Sequence, residues 1–285
     1  MELYHDNFQN YKRYNIPKAQ LVIADIPYNL GVNAYASSTE WYIDGDNKKG
    51  ESNKAGKQFF NSDSNFNLVE YMHFCSKLLI KEPKETNKAP AMIVFCAFDQ
   101  MQMLIDTGKR YGFNHGFPIF FIKNYSPQVL KANMKIVGAT EHAVVLTREE
   151  REKETLIIDG TEHAVVLYRD KLPKFNNDGK MIFNWMWWEK DTTTPKIHPN
   201  QKPVPLLKKL IEIFTDVGDI VIDPCAGSGT TLLAAEQLGR KAYGFEIYKK
   251  FVDDFYNILA KDVQRSIFNI ALDQQQADKR KLAGG

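Results

Sequence analysis

The chain has 285 residues, 44% hydrophobic and 25% charged, and its 37 Lys and Arg against 35 Asp and Glu leave a net charge of +2. These values fit a folded, water-soluble chain with a sizeable core and exclude nucleic-acid binding by global charge, so any such binding must use local basic patches. Cys75, Cys96 and Cys225 are widely separated, with no CxxC pair and no His cluster at ligand spacing, which argues against a disulfide framework or a bound metal and fits a reducing cytoplasm.

From the N-terminus, MELYHDNFQNYKR is polar and has no signal-peptide core, and no later stretch approaches a membrane span, so a cytoplasmic protein without a membrane partner is expected. Leu21–Ala24, Ala91–Ala97, Phe117–Ile122, Ala143–Leu146, Asp219–Asp223 and Lys241–Ile247 are apolar enough for central strands. Helical spacing marks Leu68–Leu79, Gln100–Tyr111, Pro203–Thr215, Thr230–Leu238 and Lys249–Lys261. Strands alternating with helices predict an α/β fold, a mostly parallel sheet with helices on both faces. Ligands bind such sheets at the carboxyl ends of the strands, where Asp25 and Asp223 both fall.

Three stretches break the alternation. Residues 31–66 read as a long polar loop with scattered aromatics (Tyr35, Trp41, Tyr42, Phe59, Phe60), and so long a loop in a compact domain is usually functional or mobile. Residues 273–285 have the composition of a disordered tail. TEHAVVL occurs at Thr140–Leu146 and again at Thr161–Leu167. Strand physics constrains pattern and not identity, so the repeat reads as a duplication at the DNA level. One copy is expected in the sheet and the other, with TREEREKETLIIDG, at the surface.

The segment IVIDPCAGSGTTLLAAEQLGRKAYGFEI, residues 220–247, is the most informative. A strand ends in Asp223, a small-residue turn holds Pro224, Cys225, Gly227, Ser228 and Gly229, a helix follows, and a second strand ends in Glu246. The acid leading into the turn would repel phosphates and suit a cationic ligand, and an acid ending the second strand suits a ribose diol. S-adenosylmethionine meets both demands; a dehydrogenase does not, lacking GxGxxG. An ordinary βα turn with glycines for packing is the bland alternative. Upstream, HPNQKPVPLLKKLIEIFTDVGD, residues 198–219, carries Asn200 and Lys202 into a helix that Pro203 opens well; taken alone, Lys202 is a solvated loop lysine.

The run His198–Glu246, with ADIPY at 24–28 ahead of it, resembles the DNA amino-methyltransferases, whose catalytic motif is D-P-P-Y. The order, catalytic motif, N-Q-K-P, then glycine turn, is similar to the beta class, with its permuted chain. The resemblance implies a Rossmann-like S-adenosylmethionine-dependent methyltransferase fold in one domain, 1–272. Residues 1–170 would be the catalytic half, 171–197 a short target-recognition region and 198–262 the cofactor-binding half. It implies a cofactor site of Asp223, Pro224, Cys225, Gly227, Ser228, Gly229 and Glu246, walled by Asn200 and Lys202. Asp6 falls where the family has an acid near the adenine, and it reads equally as an exposed turn residue. Cys225 reads as packing.

The resemblance also gives Asp25-Ile26-Pro27-Tyr28 a task; by itself the tetrapeptide reads as a strand end with stop signals. An exocyclic amino nitrogen is a poor nucleophile until acceptors hold its N–H groups. Asp25 can supply one acceptor and the carbonyl of Ile26 the other. Pro27 restricts Ile26 to an extended conformation, and Tyr28 can stack on a flipped base. Ile26 replaces the more common first proline, adding an N–H and loosening φ. Double-stranded DNA is the implied substrate, with single strands as a variant, along the rim formed by Lys48, Lys49, Lys54 and Lys57. Of Trp185, Trp187 and Trp188, at least two are expected beneath the cofactor loop as a hydrophobic plug. An acid leading the motif leans to adenine. Cytosine-N4 methylation and a catalytically silent DNA-binding relative are the alternatives, and a homodimer and a cognate restriction endonuclease stay open.

Overall fold

Strands that are apolar on both faces cannot sit at a surface, and four such runs organise this molecule. The computed structural model describes residues 1–27, 66–85, 87–97, 100–123, 129–131, 136–137, 161–198 and 200–261. Within them the strands are β1 (Glu2–His5), β2 (Leu21–Asp25), β3 (Ala91–Cys96), β4 (His115–Lys123), β5 (Val129–Lys131), β6 (Ile136–Val137), β7 (Thr161–Tyr168), β8 (Trp185–Trp188), β9 (Ile220–Asp223) and β10 (Lys241–Glu246). The helices are α1 (Leu68–Leu78), α2 (Gln100–Arg110), α3 (Val204–Phe214), α4 (Thr230–Gln237) and α5 (Lys249–Asp254). A 3-10 turn spans Phe8–Arg13, and α5 runs on into a π-helical turn, Phe255–Leu259.

Eight strands form one sheet in the order β1-β10-β9-β2-β3-β7-β4-β8, and β5 and β6 pair separately. Neighbours run parallel except at β7, which is antiparallel to both β3 and β4. The expected mostly parallel sheet is therefore present. Side chains alternate between its faces: Leu21, Ile23, Ile93 and Phe95 join α3 and α4 in one core, while Val22, Ala24, Met92 and Val94 join α1 and α2 in the other. From β9 the chain moves outward through α4 to β10, and from β2 it moves outward the other way to β3. The order thus reverses between β9 and β2, and their carboxyl ends flank one crevice.

The second TEHAVVL copy is the one in the sheet: it supplies β7, whose Ala164, Val165, Val166 and Leu167 are all buried. The first copy, with the strand expected at Ala143–Leu146, lies outside the described residues, as do residues 31–65 and the tail from 273. The tryptophan plug is corrected. Residues 185–188 form β8, and strand alternation puts Trp185 and Trp187 together on one face, 38% and 49% exposed, while only Trp188 is buried, at 3%. Among the described residues no helix is long and apolar enough to cross a membrane.

Val166 is fully buried in β7 between two strands. Val166→Ala should lower the unfolding free energy by about 2 kcal/mol in urea titrations. Val217→Ala, at a position 76% exposed, should change it by less than about 0.5 kcal/mol.

Candidate active site

The β9–α4 turn is built by its glycines and two acids. Asp223, 3% exposed, accepts the backbone N–H of Cys225 at 3.0 Å and so bends the chain out of the strand. Gly227 and Gly229 adopt φ of 52° and 72°, conformations that a side chain disfavours. A Cβ on Gly229 would lie 2.4 Å from the Phe255 ring, so the π-helical turn closes directly over this glycine. Ser228 and Thr230 share a buried hydroxyl contact of 3.3 Å.

Glu246 ends the neighbouring strand and reaches under the turn. Its Oε2 accepts the Gly227 N–H at 2.9 Å and its Oε1 the Tyr248 N–H at 2.7 Å. Burial raises the Glu246 carboxyl to about 7, against the pull of these N–H donors. Burial likewise raises Asp223 to about 7; the Thr231 hydroxyl and Cys225 N–H oppose the rise, and the charges of Asp25 and Glu246 add to it. The Cys225 thiol is pushed well up by burial, then by the nearby acids, which suits packing and not nucleophilic chemistry.

Across the crevice, β2 delivers Asp25. The loop before α3 delivers Lys202, 8% exposed, whose Nζ stands 2.6 Å from Asp25 Oδ2. That ammonium also lies 5.2 Å from the Phe95 ring centre and 5.5 Å from that of Trp188. A buried cation needs such partners. Lys202, expected as part of the cofactor wall, is thereby joined to Asp25, a residue of the expected catalytic motif. Ile26 is 2% exposed, and its N–H donates to the Phe95 carbonyl at 3.2 Å. The hydrogen that isoleucine adds where proline has none extends the sheet ladder by one bond, so the substitution fastens the motif to β3.

The other expected residues fall as follows. Pro27 follows Ile26 at the same edge and Pro224 is buried in the turn, whereas Tyr28 lies outside the described residues. Asn200 is exposed, and its N–H donates to His198 Nδ1 at 3.1 Å. Asp6 follows the strand position paired with Glu246. Its carboxylate accepts from Asn10, Tyr14 and the Asn7 N–H, and its pKa is lowered chiefly by the Asn10 bond.

Two residues went unassigned in the sequence. His198 packs on Phe251 with ring centres 4.5 Å apart, and a Cβ on Gly227 would be 3.8 Å from its ring. Burial, then the charges of Lys202, Lys196 and Lys250, lower it to about 4. It is neutral at pH 7 with its proton on Nε2, because Nδ1 is the acceptor. Asp191 accepts from Thr193 N–H and Thr194 N–H at 2.9 and 3.0 Å and from Val204 N–H, at the start of α3, at 3.1 Å. The D-x-T-T spacing was the available signal for it.

Comparison with known proteins identifies the family and the fold. The profile of the DNA methylase family matches residues 19–257. The Type II methyltransferase M.BglII of Bacillus subtilis is 43% identical over 72 residues, 25% of this chain and 19% of that protein. The Type II methyltransferase M.HindIII of Haemophilus influenzae is 55% identical over 49 residues, 17% of this chain and 16% of that protein. These matches thus span less than a quarter of either relative. Among solved structures, the M1.HpyAVI–SAM complex is similar with a TM-score of 0.56 and 22% identity, covering 90% of this chain and 98% of that one. The cytosine-N4-specific PvuII DNA methyltransferase is similar with a TM-score of 0.54 and 16% identity, covering 86% and 81%. At these identities the likeness concerns the fold.

Asp223 and Glu246 hold a proton more tightly in the folded chain than in the unfolded one. Their contribution to stability is complete below the ordinary carboxylate range, near pH 4, and is lost as pH rises through about 7. Asp223→Asn removes one of these titrations. Between about pH 5 and 8 its urea midpoint should fall less than that of the unsubstituted chain; an equal fall would clear Asp223 as a cause.

Proposed function

The chain belongs to the DNA methylase family, and from that premise we propose that it transfers a methyl group from S-adenosylmethionine to the exocyclic amino nitrogen of adenine in DNA. One observation carries the reading: Asp25, paired with the buried Lys202 ammonium, ends the strand beside the one that Asp223 ends, and the charges of Asp25 and Glu246 both act on Asp223. The adenine assignment draws on the acid that leads the motif.

The residues fit this cofactor. Two buried carboxylates at the β9 and β10 ends suit a cation and a diol, and they disfavour a phosphate. Asp223 would meet the methionine ammonium, and Glu246, with acceptor capacity beyond its two backbone bonds, the ribose hydroxyls. Bound there, the cofactor supplies a methyl group that its sulfonium makes electrophilic.

The chain's own groups do the rest. The target base leaves the duplex, as enzymes acting on base atoms require. Asp25, oriented by its pair with Lys202, can accept one amino hydrogen and take the proton released as the nitrogen is alkylated. The Ile26 carbonyl accepts the second hydrogen. Tyr28 stacks on the base, worth about 1–3 kcal/mol by analogy with other base–aromatic contacts. Lys48, Lys49, Lys54 and Lys57 meet phosphates along the rim. Positioning and fixed electrostatics then supply the catalysis.

The test is incubation with methyl-labelled S-adenosylmethionine and unmethylated mixed-sequence DNA, followed by digestion to nucleosides. Label is expected in N6-methyladenine; label in N4-methylcytosine would reassign the base. Bound cofactor with no label in DNA would favour a catalytically silent relative. Asp25→Ala should abolish transfer with cofactor affinity retained, and Lys202→Met should lower transfer by about 10-fold or more. Full activity in Asp25→Ala would sink the mechanism.

A further inference from the structure

A backbone carbonyl can serve as an acceptor only if the peptides around it hold it still. The Ile26 carbonyl is followed by Pro27, whose ring fixes φ. On its near side, the Ile26 N–H is bonded to the Phe95 carbonyl at 3.2 Å. On its far side, the Pro27 carbonyl accepts a hydrogen bond of 3.1 Å from Gln100 Nε2.

Gln100 opens α2 and is only 9% exposed. Its Oε1 accepts the Ala97 N–H at 3.0 Å, and its own N–H donates to the Ala97 carbonyl at 3.0 Å. The Ala97 N–H can only donate and the Pro27 carbonyl can only accept, so the side-chain amide has one chemically allowed orientation. Gln100 is therefore locked to the end of β3 by two bonds and gives a side-chain donor to the motif. Neither bond involves a charge, so the grip is directional and insensitive to salt.

We infer that Gln100 is a positioning residue for methyl transfer: by holding the Pro27 carbonyl it fixes the Ile26–Pro27 peptide plane and aims the Ile26 carbonyl at the amino group. With proline's φ locked, the Pro27 carbonyl has one soft dihedral between it and the ring, and pinning that oxygen pins the peptide before it. Without Gln100 the motif keeps its Phe95 anchor and its Asp25–Lys202 pair but loses control of the second acceptor. The inference rests on the amino-methyltransferase reading above.

Gln100→Glu separates positioning from packing, because it keeps the size and the acceptor for Ala97 N–H and sets a carboxylate oxygen against the Pro27 carbonyl. At about pH 8 its turnover at saturating DNA and labelled donor should be about 10-fold or more below that of the unsubstituted chain, since small misplacements of reacting groups are costly. Its affinity for the methyl donor should stay near the unsubstituted value, and it should remain folded at the assay temperature. As pH falls and the new carboxyl protonates, it regains a donor, so the ratio of variant to unsubstituted turnover should rise. Gln100→Leu, which cannot regain one, should show a loss whose ratio is constant with pH. Unchanged turnover in Gln100→Glu and Gln100→Leu, or a Gln100→Glu ratio flat with pH, would overturn the inference, as would a loss matched by weakened donor binding. Asp25→Ala measured alongside separates the two failures: full transfer by that variant would remove the underlying reading as well, whereas its inactivity beside fully active Gln100 variants would remove only the role of Gln100.

Discussion

The arrangement of the site depends on one ammonium group kept out of water. Lys202 is 8% exposed and 2.6 Å from Asp25 Oδ2, and removing one member of a buried pair strands the other at a cost of several kcal/mol. Meeting that need recruits four separate parts of the fold. β2 brings the acid, β3 brings Phe95, β8 brings Trp188, and the loop before α3 brings the lysine. The loop can do so because Asp191 ties its start to the first N–H of α3, and because Gln201 bonds both Ile197 N–H and the Pro195 carbonyl. The same Asp25 charge reaches Asp223 and helps raise its carboxyl. A pair that spans the two halves of the chain thereby sets electrostatics on both sides of the crevice.

Much of this frame was legible in the sequence for a specific reason. Strands buried on both faces read as continuous apolar runs, and LVIAD, AMIVFC and IVID became β2, β3 and β9 within a residue or two of their expected bounds. The glycine turn was legible because two left-handed conformations and a ring at 2.4 Å leave glycine as the fit at position 229. The Glu2–His5 strand was not, since an edge strand that buries little beyond Leu3 carries almost no hydrophobic signal. Nor could the two TEHAVVL copies be told apart, because identical residues have identical propensities and only their neighbours decide which one pairs with β3 and β4.

The site itself was legible as a set of residues and much less so as a set of contacts. The distance from Lys202 to Asp25 spans 177 positions of sequence, and no local pattern says which acid a loop lysine will meet. Ile26 shows the same limit at closer range. Its side chain reads as a departure from a motif, whereas its function in the fold lies in an N–H bonded to β3 and a side chain buried in the core beneath it. The tryptophans erred the other way: apolar composition implied burial, and the alternation of a strand overruled it for Trp185 and Trp187.

The order of the strands also bears on how the chain is made. β2 is flanked by β3 on one side and by β9 on the other, and β1 pairs with β10. A nascent chain therefore displays the apolar Leu21–Asp25 strand long before residues 220–223 emerge to cover its second edge. An uncovered apolar strand is a template for association, and contacts this distant in sequence close slowly. The last sixty or so residues of the described chain thus seal the sheet as well as furnishing the turn beneath Gly227 and Gly229. Truncation anywhere before β9 would release a sticky half-sheet into the cell, making production of this protein sensitive to premature termination and to the supply of chaperones.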